Sequence, residues 1–380
     1  MRRYLIHTLL ALLVVGQVQA GLILFSPGSS QISSDAVYDI TNGPNGEVVF
    51  GTDNGLSWYN GNWTRFHRDY ADDGAGLLSE TVLAVEYDST GTLWIGYPAG
   101  LQRYNGARFS TLADQQVLKN LKINDLQRWD DEMWVATGNA GVHRVVDGRW
   151  TWFKPYGEGG LGCYAVSSLA VDAEDDALYA ASNDGGIWML RRSERSASFE
   201  QILEDGRPAA DLTQVRRDPS GGIYIFSLER LVHYSARYGF TPVCTVSQLE
   251  EGAGRIADVA AAPNGDLWVA ASNGLYQFSQ NGIVHFSKDD GIWGTIVRVV
   301  FVDYKGRCWF ATPGFVGFFS DPDRESSLIQ IEPAAMETPL ETEVQETPSI
   351  PVISDASSEI PSTIDPVTAF VNYFIGLLPL

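Results

Sequence analysis

One pattern recurs seven times along the chain. Between Asp88 and Tyr104 it reads Asp88-Ser89-Thr90-Gly91-Thr92-Leu93-Trp94-Ile95-Gly96, then Gly100-Leu101-Gln102-Arg103-Tyr104. This is a tight turn, a strand, a glycine-containing turn and a second strand. The same arrangement surrounds Val49, Trp134, Tyr179, Tyr224, Trp268 and Trp309, and successive anchors lie 45, 40, 45, 45, 44 and 41 residues apart. A period of this length built from strands is the signature of a propeller or array. Apolar runs bounded by Gly, Asn, Asp and Pro favour strands over helices. A unit this small cannot bury both of its faces alone. The expected fold is therefore all-β, a seven-bladed β-propeller of four-stranded blades over residues 21–332, in which closure into a ring leaves only short edges.

The turns between the first and second strands carry their own chemistry. Pro44-Asn45-Gly46, Ser89-Thr90-Gly91, Pro219-Ser220-Gly221, Pro263-Asn264-Gly265 and Tyr304-Lys305-Gly306 each end in the glycine that a tight hairpin needs. Two residues past each anchor stands a small side chain, Gly51, Gly96, Ala136, Ala181, Ala270 or Ala311, with Phe226 the exception. Neighbouring sheets should approach closely at that level. Nine past the anchor come Trp58, Arg103, His143, Trp188, His233, Gln277 and Phe318, which the spacing sets at one height on every third strand. Closure should join first and last units, with Leu328–Ile331 as the outer strand of the seventh blade and Leu22–Phe25 adding to that blade in an unfixed register.

The chain ends read differently. Arg2 and Arg3, the apolar run Leu5–Val15 and Val18-Gln19-Ala20 form a secretory signal peptide over residues 1–20, cut after Ala20. Residues 333–366 are rich in Pro, Thr, Ser and Glu and read as a disordered stalk. Residues 367–380 are apolar but too short to span a bilayer as a helix. They suit shallow contact with a membrane or a partner, and the mature chain should have no transmembrane span. Export places the protein in the periplasm, outside the cell or at its surface. Cys163, Cys244 and Cys308 lack paired spacing, so no disulfide framework is expected, and Cys308 reads as a small core residue. A formal charge of −21 argues against nucleic acid and anionic membranes as partners.

From Asp73-Gly74 to Phe109 the sequence resembles the two-component-regulator propeller repeat. The residues that carry the likeness are Gly76-Leu77-Leu78-Ser79, Val82, Asp88, Gly91, Leu93-Trp94-Ile95-Gly96, Gly100-Leu101 and Tyr104-Asn105-Gly106. Residues 288–319 repeat it more loosely, and the likeness extends over about residues 37–331, weakest in the fourth and fifth units. It implies a seven-bladed propeller of the kind found as extracytoplasmic sensor domains, some of which recognise polysaccharide-derived ligands. No kinase region accompanies it in this sequence, so it implies fold and binding rather than signalling.

Candidate chemistry is sparse. The spacing of His67, His143, His233 and His285 does not converge three or four ligands on one point, so no metal or other cofactor is expected. No nucleophile-elbow context is present. The acidic run Asp172–Asp176 lacks the alternating ligands and glycine of a calcium loop. Asn62-Trp63-Thr64 is a glycosylation sequon at Asn62. Trp293 departs from the repeat positions and falls in a connection between blades. The equivalent connections carry Glu80, Lys122, Tyr164, Asp211 and Arg255, and the six together would make a polar and aromatic rim at the channel mouth. Rings stacked on sugar or peptide and oriented by a few charges suit a small polar ligand. The leading expectation is a noncatalytic module that binds a carbohydrate, a peptide, another small polar ligand or a surface protein. A lyase or hydrolase on the same scaffold, similar in fold to streptogramin lyases, and a structural spacer are the alternatives.

Overall fold

The second repeat is built around an acid-centred turn. In the computed structural model, Asp88 Oδ1 accepts the backbone N–H groups of Thr90 (2.9 Å) and Thr92 (3.0 Å). Its Oδ2 accepts Trp94 Nε1–H (2.8 Å). Gly91 takes the positive φ of 80° that completes the turn. One carboxylate thus ties the turn to the anchor aromatic of the next strand. The seventh repeat does the same with Asp303 and Trp309 (2.9 Å).

The structure describes residues 21–29, 31–69, 76–111, 118–192, 198–293 and 296–320. The expected leader, stalk and apolar end lie outside them. Seven four-stranded antiparallel sheets follow one another, and within each the strands lie side by side. We name the strands a to d from the inside out. In the second blade they are Ala84–Tyr87, Leu93–Gly96, Leu101–Tyr104 and Phe109–Thr111. The seven a strands, Val37–Asn42, Ala84–Tyr87, Ile123–Trp129, Ser168–Asp172, Gln214–Arg217, Ile256–Ala261 and Val299–Val302, each pack on the next. The last packs on the first, so the ring is closed.

The closing strand differs from expectation. The outer strand of the seventh blade is Gly21–Phe25, antiparallel to Phe315–Ser320 with Gly21 opposite Ser320 and Phe25 opposite Val316. It occupies the place given above to Leu328–Ile331, which lie outside the described residues. The N-terminal strand has the partner because its ladder is complete over five residues and its last ring drops between blades. Phe25 lies 5.2 Å from Tyr59 and 5.0 Å from Trp63 of the first blade, centroid to centroid.

The apolar cores lie between blades, as a ring of two-faced sheets requires. Val49 and Leu56 of the first blade pack with Val85, Leu93 and Ile95 of the second. The small residue after each anchor is explained by this contact. A Cβ on Gly51 would come within 2.9 Å of Val82, and one on Gly96 within 2.6 Å of Ile123. Both partners are the residues that lead into the next a strand. All three cysteines are buried and unbridged, and Cys308 is a core residue as expected.

One register expectation fails. In five blades the residue nine past the anchor pairs directly with it, as Val49 with Trp58 and Trp94 with Arg103. In the third and fourth blades Trp134 pairs with Arg144, and Tyr179 with Met189. Their b–c turns are one residue longer, and a one-residue shift turns every side chain to the other face. His143 and His233 are therefore not equivalent. His143 is buried and stacks on Trp152 at 5.4 Å, and burial lowers its pKa to about 4. His233 instead pairs with Asp218 at 3.1 Å.

Candidate functional site

Two features of the ring present chemistry, the face that carries the d–a connections and the channel along the axis. On the first, the loops are locked by backbone bonds between blades. Gly55 N–H donates to Glu80 O (2.6 Å), Gly100 to Leu121 O (2.9 Å) and Gly141 to Tyr164 O (2.9 Å). Bonds in the other sense run from Val82 N–H to Thr52 O and from Val166 N–H to Thr137 O. These d–a connections are thus clasped to the b–c turn of the preceding blade, as is that of the seventh blade through Val297 N–H and Ala271 O, and the side chains they carry sit on a fixed backbone.

The six rim residues fall on this face with different surroundings. Trp293 is 59% exposed and meets Phe315 edge-on at 6.0 Å, while its carbonyl accepts Thr312 Oγ1–H (2.8 Å). Tyr164 is 57% exposed and meets Tyr156 edge-on at 5.2 Å. Lys122 is exposed and Arg255 half-buried. Glu80 faces His67 Nδ1 (3.3 Å) and accepts Arg68 N–H (3.2 Å). Asp211 is held in two bonds by Arg230 (2.6 and 3.0 Å), and this hydrogen-bonded guanidinium keeps its carboxyl below the usual range. Arg230 also grips Glu204, in the small hairpin Leu203–Glu204/Arg207–Pro208 between the fourth and fifth blades. Asp211 is therefore occupied. Asn62 is exposed, in the turn just before the strand Trp63–Phe66.

None of the six lines the channel, a cavity of about 600 Å³ walled by all seven a strands. Its upper wall is a stitch of carboxylates. Asp39, Asp125 and Asp258 occupy the same position in blades one, three and six, just after a bulge in strand a. Each accepts the N–H of its own successor, Ile40, Leu126 or Val259 (2.9, 2.8 and 2.9 Å). Each also accepts the equivalent N–H in the next blade, from Val85 (2.8 Å), Leu169 (2.7 Å) or Val300 (3.2 Å). Ser168 does the same for Val215 N–H (2.8 Å). The innermost strand of each blade has an open edge, and these side chains satisfy its donors. Arg216 projects from the fifth blade and meets Asp258 at 3.0 Å. This stitch lies outside the rim expected from the sequence, although Val37-x-Asp39, Ile123-x-Asp125 and Ile256-x-Asp258 recur at one position of the a strands.

Charge in the channel is held against its preference for water. Burial raises the carboxyls of Asp39 and Asp258, and burial raises Asp125 to about 6 against the pull of Arg216. Burial raises Glu86 to about 8, with Arg128 opposing and Asp125 adding to the rise. A carboxyl whose folded pKa lies above its unfolded value stabilises the fold fully below the unfolded pKa and loses that contribution as pH rises through the folded one. For Glu86 the loss runs from about pH 4.5 through about 8. Thermal midpoints should therefore fall as pH rises through that window and level off above it, and those of Glu86→Gln should fall less. The difference at pH 9, discounted for water in the channel, is about 2 kcal/mol. Parallel midpoint curves for the two proteins would refute the assignment.

Among the described residues, no helix is long and apolar enough to cross a membrane and no group of three His, Cys, Asp or Glu side chains could hold a metal ion. No family model matches the sequence, and no curated protein matches it. Solved structures do. The extracellular domain assigned to the hybrid two component system BT3049 from B. thetaiotaomicron is 20% identical, with a TM-score of 0.64 over 79% of this chain and 42% of that one. That assigned to BT4673 of the same organism is 17% identical, with a TM-score of 0.59 over 74% of this chain and 38% of that one. A streptogramin B lyase is 14% identical, with a TM-score of 0.60 over 78% of this chain and 97% of that one. This chain thus spans less than half the length of the two extracellular proteins, and identities this low speak for architecture alone. The protein is a seven-bladed β-propeller of the fold shared by the extracellular domains of these hybrid two-component systems.

Proposed function

We propose that the propeller is an exported, noncatalytic module that binds a ligand or partner through the face carrying its d–a connections. The observation behind this reading is that Trp293 and Tyr164 stand in solvent on loops whose backbones are clasped between blades. Exposed aromatic rings on a fixed backbone offer apolar area with little ordering left to lose on binding. Glu80, Lys122 and Arg255 supply polar contacts around them, and Asp211 contributes only through its ion pair with Arg230. Sugar rings and peptide planes both stack on such faces. The signal peptide over residues 1–20, removed after Ala20, accounts for export, and the likeness to extracellular domains supports the same location.

A glycan and peptide array, followed by thermal shift, tests this. A ligand that binds only the native state raises the midpoint. Tyr164→Ala, Trp293→Ala and Arg255→Ala combined should weaken binding at least ~100-fold, because each good contact carries about 1–3 kcal/mol. The fold should persist, since Tyr164 and Trp293 are exposed, where substitutions cost ~0.5 kcal/mol or less each, and Arg255 is half-buried on a loop. Hits that survive the triple variant would place the site elsewhere.

A further inference from the structure

The channel has a second mouth, on the face of the a–b turns, opposite the d–a connections. Below the carboxylate stitch its wall divides in two. Blades two, three and five contribute Glu86, Gln127, Arg128, Arg216 and Arg217 to the lining. Blades six and seven contribute Ala260, Ala261, Pro263, Phe301 and Val302. The polar arc and the apolar arc face one cavity of about 600 Å³, a volume ordinary for a small-molecule site.

The guanidiniums are not equal. Arg216 is committed to Asp258. Arg128 and Arg217 are exposed and, among the described residues, neither joins an ion pair with a carboxylate within 4 Å. Each stitch carboxylate above them accepts one backbone donor on each of its oxygens. At the lip, Tyr304 reaches across from the seventh blade, its hydroxyl donating to Gly43 O (2.8 Å) of the first while half of the side chain remains in solvent. Asn42 lines the same cavity, and its Oδ1 is shut from solvent without a hydrogen-bond partner.

We propose that this mouth binds a small amphipathic carboxylate, its charged group between Arg128 and Arg217 and its apolar body against Ala261, Phe301 and Val302. Planar guanidiniums pair with a carboxylate in two parallel bonds, which favours that group over a point-like anion. A cation is disfavoured by the two arginines at the entrance, and bare phosphate has no apolar body to set against the other arc. The apolar arc selects a ligand with a ring or short chain over a bare acid. This site is separate from the proposed rim and does not depend on it.

Titration calorimetry with 4-phenylbutyrate, 4-phenylbutylamine and inorganic phosphate on the whole protein tests the assignment. The carboxylate should bind saturably, and the amine and phosphate should bind at least ~10-fold more weakly. Arg128→Gln with Arg217→Gln should weaken 4-phenylbutyrate at least ~10-fold, while Trp293→Ala should leave it unchanged. Should the arginine pair fail to fold, Ala261→Phe, which fills the apolar side of the mouth, should abolish binding instead. Absence of saturable binding, equal binding of the amine, equal binding of phosphate, or binding that survives both variants would each overturn the proposal. Loss of 4-phenylbutyrate binding in Trp293→Ala would also overturn it, because the ligand would then sit at the other face.

Discussion

Asp303→Ala should lower stability by about 3–5 kcal/mol, the range for breaking a buried ion pair from one side. Asp303 is only 2% exposed. Its Oδ1 accepts the N–H groups of Lys305 and Arg307, both at 2.9 Å. Its Oδ2 accepts Arg307 Nε–H at 2.6 Å and Trp309 Nε1–H at 2.9 Å. Arg307 is itself buried, 4.8 Å above the ring of Phe318 and 5.2 Å above that of Trp309. Alanine would strand this guanidinium among aromatic rings with no carboxylate. The second blade provides an internal control. Asp88 holds the same turn and the same tryptophan nitrogen without a buried arginine, and its surroundings are partly wet. Asp88→Ala should therefore cost about 1–2 kcal/mol. Thermal melts of both variants measure the difference, which belongs to Arg307. Adding Arg307→Met to Asp303→Ala should recover much of the loss, since an apolar replacement removes the unpaired charge. Equal costs for the two aspartates would show that the arginine is not held as described.

The sequence carried the ring well, for a physical reason. The anchor, the glycine turn and the small residue after the anchor obey local rules and recur seven times, so each copy corroborates the others. The small residue even forecast the tight approach that Gly51 and Gly96 make to the next blade. What was hidden is nonlocal or depends on register. His143 looked equivalent to His233 until the longer b–c turn of the third blade turned it onto Trp152. Asp211 looked like a free rim carboxylate because nothing in its neighbourhood announces the distant grip of Arg230. The channel carboxylates were legible in principle. The bulges before Asp39, Asp125 and Asp258 displace them from simple strand alternation, however, so period-two reading does not single them out. Both free arginines of the lower mouth sit on a strands as ordinary polar positions, and only closure of the ring sets them opposite Phe301 and Val302.

Ring closure makes the second large prediction. Removing Gly21–Phe25 should abolish a cooperative thermal transition, whereas ending the chain after Ser320 should leave the midpoint unchanged. The five-residue ladder to Phe315–Ser320 is the only cover this sheet edge has among the described residues. Gly317 shows how closely it fits, since a Cβ there would lie 2.6 Å from Ile23 O and from Leu24 Cδ2. Phe25 then carries the strand into the core between the last and first blades, against Tyr59, Trp63, Trp309 and Phe318. Phe25→Ala alone should cost about 3–5 kcal/mol, the transfer of a buried ring plus the cavity it leaves. Deletion of the strand goes further, because it bares both that core and the unpaired edge of Phe315–Ser320, a template for aggregation. Circular dichroism melts and light scattering on the two truncations separate the candidates for the closing strand. If loss of residues 321–380 destroys the transition and loss of Gly21–Phe25 does not, the ring is fastened from its C-terminal side.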